Sequence, residues 1–225
     1  VVNPSRSAIS TIVFDFDGTL VDSGDIKKTA FMTALGAGDS VDREACEKAY
    51  ATHGTVNRTG LLALSFIDLH GREPDPAEHR ALIEAYTDYF RRHMDEIVVF
   101  PGLAEFCERY AAKRLMISSN APRTEIVELC GKLSLSAYFA RTYGWPVSKE
   151  AALREILADF RLDSAELLYV GDRYEDGLVA EKVGVPFQRL DPGFHSRSTT
   201  EGILRSLAEL AEAIDARGPA PEGQH

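Results

Sequence analysis

Thr11-Ile12-Val13-Phe14 is an unbroken run of β-branched and aromatic residues that stops at Asp15-Phe16-Asp17-Gly18. Such a run, without polar alternation and bounded by turn residues, suits a strand buried on both faces, as in a parallel sheet covered by helices. The chain after Pro101-Gly102 repeats the theme. A helical stretch from Leu103 to Lys113 leads to Leu115-Met116-Ile117, and a helix from Arg123 to Lys132 precedes a short strand near Thr142-Tyr143. Then come a helix from Lys149 to Phe160, the strand Leu167-Leu168-Tyr169-Val170 and a helix from Glu175 to Val183. A strand from Val185 to Phe187 and a helix from Thr200 to Ala213 complete the series. Strands alternating with helices predict a parallel sheet with crossover helices.

From Asp25 to Glu96 the pattern is helical. Ala77, Ala81, Leu82, Ala85, Tyr86, Tyr89 and Phe90 recur at three- and four-residue steps, and Asp75-Pro76 supplies an N-cap and a first-turn proline. The expected architecture is α/β: a Rossmann-like parallel-sheet core, residues 1–23 and 97–215, with an all-helical cap, residues 24–96, inserted after the first strand. Residues 216–225 read as a disordered tail.

The composition, 44% hydrophobic and 27% charged, permits a sizeable core. Thirty-five acids against 25 bases give a net charge of −10, with no block of Lys or Arg. That argues against nucleic acid or an anionic membrane as the partner, and no apolar run is long enough to cross a bilayer. No charged segment followed by an apolar stretch opens the chain, so a cytoplasmic location is expected. The absence of heptads or an obvious apolar patch suggests a monomer. Cys46, Cys107 and Cys130, odd in number and widely spaced, read as reduced thiols.

Ligands of open parallel sheets bind beyond the carboxyl ends of the strands. The first strand ends in Asp15 and Asp17, the second in Ser118-Ser119-Asn120, and a later one in Gly171-Asp172 with Asp176 following; Lys149 opens a helix between them. Several carboxylates crowd one small site only with a cation among them, so a hard divalent metal such as Mg²⁺ is implied.

These residues resemble the haloacid dehalogenase superfamily. Asp15-Phe16-Asp17-Gly18-Thr19-Leu20 matches its first motif, and four fixed positions recur by chance about once per hundred thousand sites. Ser119 with Asn120, Lys149, and Gly171-Asp172-Arg173-Tyr174-Glu175-Asp176 match the second, third and fourth, in order. The resemblance covers Thr11 to Leu190, and Tyr143 to Lys149 is similar to phosphatases related to phosphoglycolate phosphatase. It departs from the pattern at Glu150, where proline is common, and at Arg173, where small residues are usual.

The resemblance implies a Mg²⁺-dependent phosphatase of a small phosphorylated metabolite. Asp15 is then the nucleophile and forms an aspartyl-phosphate, with Asp17 as general acid and base. Ser119, Asn120, Lys149, Gly18 and Thr19 surround the phosphate, and Asp15, Asp17, Asp172 and Asp176 hold the metal. In the cap, Arg58 and His53 are candidates for substrate contact, with a solvated helix start as the plain alternative for Arg58. A phosphosugar mutase shares these residues; a dehalogenase needs neither Asp17 as acid nor the metal carboxylates; a non-catalytic binding protein is opposed by the intact acid set. His70, His79 and His93 read as surface residues, Trp145 as packing, and Gly36-Ala37-Gly38, which follows a helix, not as a dinucleotide loop.

Overall fold

The computed structural model describes residues 8–38, 41–193 and 202–216. The lead-in up to Ser7 and residues 217–225 of the expected disordered tail lie outside the described residues. The chain forms two units, Val1–Asp22 with Val99–His225, and Ser23–Val98.

The first unit is built on six parallel strands: β1 (Thr11–Phe14), β2 (Arg114–Pro122), β3 (Arg141–Trp145), β4 (Leu167–Gly171), β5 (Phe187–Leu190) and β6 (Ile203–Leu204). Their order is 3-2-1-4-5-6, a Rossmann-like α/β sheet. The order reverses beside β1, the topological switch point at which such sheets open a crevice. Register carries the strand ends to one level: Phe14 pairs with Ile117 on one side and Val170 on the other. The β2–β3 register shifts between Ser118 and Pro122, the stretch that holds Ser119 and Asn120.

The unbroken apolar run in β1 has its explanation in packing. Val13 faces a core of Met116, Leu153, Ile156 and Tyr169, whereas the Phe14 ring meets Phe106 edge-on at 5.7 Å and Phe139 at 6.4 Å. Successive side chains of a strand point to opposite faces, so both must be apolar. Each contributes about 1.5–3 kcal/mol by leaving water.

The second unit holds α1 (Gly24–Ala34), α2 (Arg43–His53), α3 (Arg58–His70) and α4 (Pro76–His93). Asp42 and Asn57 cap α2 and α3 through the amides of Glu44 and Gly60. Asp75 and Glu78 form a reciprocal capping box at α4, with Pro76 in the first turn. Phe31, Leu62, Tyr86 and Phe90 are buried.

The helices of the first unit are α5 (Leu103–Arg109), α6 (Arg123–Lys132), α7 (Lys149–Phe160), α8 (Tyr174–Val183) and α9 (Leu207–Asp215). Three expected boundaries need correction. The chain leaves α5 at Tyr110, whose hydroxyl donates to the Ala211 carbonyl at 3.0 Å and to Asp215 at 2.7 Å, and turns fill the rest to Lys113. Val185 belongs to the exit turn of α8, its amide donating to the Ala180 carbonyl, so β5 begins only at Phe187. The expected helix from Thr200 contains a strand, β6, before Ser206 caps α9; Thr200 itself lies outside the described residues. No helix among the described residues is long and apolar enough to cross a membrane.

Candidate active site at the strand ends

Asp15 is the first residue beyond β1, and its amide donates to the Val170 carbonyl at 2.8 Å, so the β4 ladder fixes its backbone. The chain then turns sharply: Gly18 N–H donates to the Val21 carbonyl, and Leu20 N–H and Val21 N–H to the Phe16 carbonyl. Gly18 has φ +82°, and a Cβ built there would stand 2.7 Å from Asp172 Oδ2. Only glycine meets both conditions, the left-handed backbone and the close carboxylate. Gly171 is required for a similar reason, since its Cβ would lie 2.6 Å from Asp176 Cγ.

Asp15, Asp172 and Asp176 are buried, and one carboxylate oxygen from each lies within 4.8 Å of the others. Lys149, the first residue of α7, bridges two of them: its Nζ is 3.0 Å from Asp15 Oδ1 and donates to Asp176 Oδ1 at 2.6 Å. Ser148 sets the start of this helix by accepting the Ala151 amide. Thr19 Oγ1 donates to Asp172 Oδ1 at 3.4 Å, Ser119 Oγ to Asp17 Oδ2 at 3.3 Å, and the Ala121 amide to Ser119 Oγ at 3.1 Å. Asn120 is exposed on the same β2 end. The structure therefore brings Asp15, Asp17, Thr19, Ser119, Lys149, Asp172 and Asp176 together from segments far apart in sequence.

The electrostatics follow from burial. Loss of water pushes the Asp15 carboxyl up to about 7; Lys149 opposes the shift, and Asp176, Asp172 and Asp17 add to it. Burial also lifts Asp172 to about 6 against the pull of the Arg173 guanidinium. Burial disfavours the Lys149 charge, yet Asp15 and its other neighbours hold the ammonium well above the usual lysine range. Lys149 alone does not balance three buried carboxylates whose oxygens lie within 4.8 Å of one another. A hard divalent cation fits that donor set.

Arg173 stands with its Nε 4.0 Å from Asp172 Oδ2 and its side chain 41% exposed. Two neighbours went unread in the sequence. Arg189 Nε donates to the Asp172 carbonyl at 2.8 Å, and the buried Tyr169 hydroxyl donates to Asp176 Oδ1 at 2.9 Å. Burial pushes the Tyr169 phenol well above its ordinary range, so it remains a donor. A tyrosine in an otherwise aliphatic buried strand is itself a signal, because its hydroxyl needs a partner.

In the helical unit, Arg58 lies with its guanidinium carbon 4.3 Å from the centre of the Tyr86 ring and 5.6 Å from that of Phe90, and donates to Thr87 Oγ1 at 2.9 Å. His53 Nε2 is paired with Asp68 at 2.8 Å. His70 and His93 lie beside the rings of Phe66 and Tyr89, and His79 bonds the Thr59 carbonyl. Trp145, expected to be packed, is 45% exposed at the end of the edge strand. A groove of about 580 Å³ along that strand is lined by Arg123, Val127, Phe139 and Arg141, and by none of the candidate site residues. Its arginines are engaged internally, Arg123 with the Thr142 carbonyl and Arg141 with Asp159 and the Tyr143 hydroxyl.

The family model of haloacid dehalogenase-like hydrolases matches residues 9–184. The chain belongs to that family. As a haloacid dehalogenase-like hydrolase it is 27% identical over 220 residues to the phosphoglycolate phosphatase of Yersinia pestis, covering 92% of this chain and 94% of the relative. It is 26% identical to that of Synechococcus elongatus, over 92% and 97%. Among solved structures, a predicted phosphoglycolate phosphatase from Haemophilus somnus superposes with a TM-score of 0.74 at 16% identity, over 94% of this chain and 99% of the other. CbbY from Rhodobacter sphaeroides, solved with phosphate, gives 0.70 at 23% identity, over 90% and 96%.

Proposed function

We propose that this hydrolase is a phosphoric monoester hydrolase that removes phosphate from a small metabolite through an aspartyl-phosphate on Asp15. The observation that carries the reading is the buried Asp15 carboxylate held 3.0 Å from Lys149, with Asp17 beside it and Asp172 and Asp176 in reach of one cation.

Asp15, the Asp17 carbonyl and Asp172 would hold Mg²⁺, with Asp176 ligating or supporting. The bound ion would supply charge screening between an anionic nucleophile and an anionic ester. Asp15 attacks phosphorus, forming the acyl-phosphate bond as the bond to the leaving alkoxide breaks. Asp17 gives that alkoxide its proton, then takes one from the water that opens the aspartyl-phosphate. Ser119, Asn120 and Lys149 receive the phosphoryl oxygens; the ammonium, already charged and placed, needs no reorganisation to do so. Gly18 and Thr19 keep the loop turned so that Asp17 faces the leaving group. Arg58 and His53 belong to the substrate side of the proposal. Arg58 offers a guanidinium suited to a carboxylate or second phosphate beyond the ester.

Phosphate release with Mg²⁺ across a panel of sugar, polyol, nucleotide and small-acid phosphates tests the reading. Phosphoglycolate belongs at its head, because the relatives carry that activity in their names. Release from at least one small ester is expected. Isomer formation without net release would replace it with a mutase, and silence across the panel would refute catalysis on such esters.

A further inference from the structure

Tyr169 sits in the middle of β4 between Leu168 and Val170, and it is fully buried. A phenylalanine would fill nearly the same space among Val13, Leu153 and Ile156 without bringing a polar atom into an apolar layer. The hydroxyl is satisfied in one way: it donates to Asp176 Oδ1 at 2.9 Å. That same oxygen accepts Lys149 Nζ at 2.6 Å, and Asp15 Oδ1 lies 3.0 Å from the ammonium. The second oxygen of Asp176 accepts the Arg173 amide at 3.3 Å. Lys149 is thus divided between two carboxylates, and one of them is already partly engaged by a neutral donor.

We propose that Tyr169 is a positioning residue: by sharing Asp176 Oδ1, it keeps Asp176 from drawing Lys149 wholly to itself and leaves the ammonium bridging to Asp15, 3.0 Å away, where phosphoryl oxygens arrive. The proposal rests on the reading of Lys149 as a phosphoryl-binding group. Its physical basis is competition at one acceptor. A carboxylate oxygen that accepts two donors binds each less strongly than it would bind either alone, and in a buried site the difference is not diluted by water. Deleting the phenolic oxygen leaves Oδ1 to Lys149, which strengthens that 2.6 Å contact at the expense of the one to Asp15. The ring remains to pack against Phe187, 6.1 Å between centres.

The test is Tyr169→Phe. Its KM for an aryl phosphate and its inhibition constant for inorganic phosphate are expected to rise about tenfold, the scale of one hydrogen bond to a charged group, with a smaller change in kcat. Its crystal structure is expected to show Lys149 bonded to Asp176 and withdrawn from Asp15, where the wild-type protein bridges both. Unchanged phosphate affinity with Lys149 still bridging overturns the proposal, whether or not the melting temperature falls. Should the wild-type protein hydrolyse no ester at all, the functional reading fails. The position of Lys149 in the two crystal structures then still decides the role of Tyr169: movement upholds it, and none overturns it.

Discussion

Metal affinity should depend steeply on pH, and the dependence can be worked from the two raised carboxyls. A cation binds Asp15 and Asp172 only in their ionised forms, so below their titration points it must displace protons. With Asp15 at about 7 and Asp172 at about 6, lowering the pH from about 7.5 to about 5.5 should weaken apparent Mg²⁺ affinity about 25-fold through the first and about fourfold through the second. Because the Asp172 charge itself helps to raise Asp15, the product, about a hundredfold or ~2.7 kcal/mol, is the ceiling and the Asp15 factor alone the floor. Calorimetric titration at constant ionic strength measures it, and the enthalpy in buffers of differing ionisation heat reports the protons released. Carboxyls at their ordinary value of 3.8 would leave affinity almost flat over the same interval. A flat profile would therefore refute both the crowding of the site and the placement of the metal on these residues.

Asp15→Asn should lower kcat at least about a thousandfold, since the amide cannot form the phosphoenzyme; a tenth of wild-type turnover would sink the mechanism. The same variant tests linkage in chelator. A carboxyl raised on folding contributes stability that is complete below its unfolded value near 3.8 and is lost as pH rises through about 7. The melting temperature of Asp15→Asn relative to wild type should thus climb between about pH 4 and 7 and level off above, and a constant difference would contradict the shift. Asp17→Asn should cost roughly 10²–10⁴-fold with alkyl phosphates but less in phosphoenzyme formation from an aryl phosphate; equal single-turnover losses would exclude the acid role. Arg58→Ala should raise KM for a substrate with a second anionic group about tenfold to a hundredfold while sparing an aryl phosphate. Equal effects on both would reduce Arg58 to its packing on Tyr86 and Phe90.

Much of the scaffold was legible because burial on both faces leaves a strong mark. The β1 and β4 runs, and the helices Arg123–Lys132 and Lys149–Phe160, are found where the sequence placed them. Less legible were elements that exist through their neighbours. The two residues of β6 are a strand only because β5 pairs with them, and no local pattern in Ile203-Leu204 announces it. At the site, residue types and spacing pointed to the strand ends, but not to the bridge of Lys149 between Asp15 and Asp176. That bridge depends on where α7 lies against β2 and α8, a tertiary fact without a local signature. Arg173 shows the same limit: its identity was plain, its 4.0 Å approach to Asp172 was not.

The place of β1 in the sheet also bears on the birth of the molecule. It is the first of the six sheet strands in chain order, yet both its hydrogen-bonding partners begin far downstream, at Arg114 and Leu167. Until the segment through Gly171 has been made, at least one edge of a fully buried, largely apolar strand lacks its native partner. Closing such long loops is slow, and nascent β1 is an open edge of the kind chaperones shield. The hydrogen bond from the Asp15 amide to the Val170 carbonyl forms in that same closure, so the Asp15 backbone is fixed only when the last central strand docks.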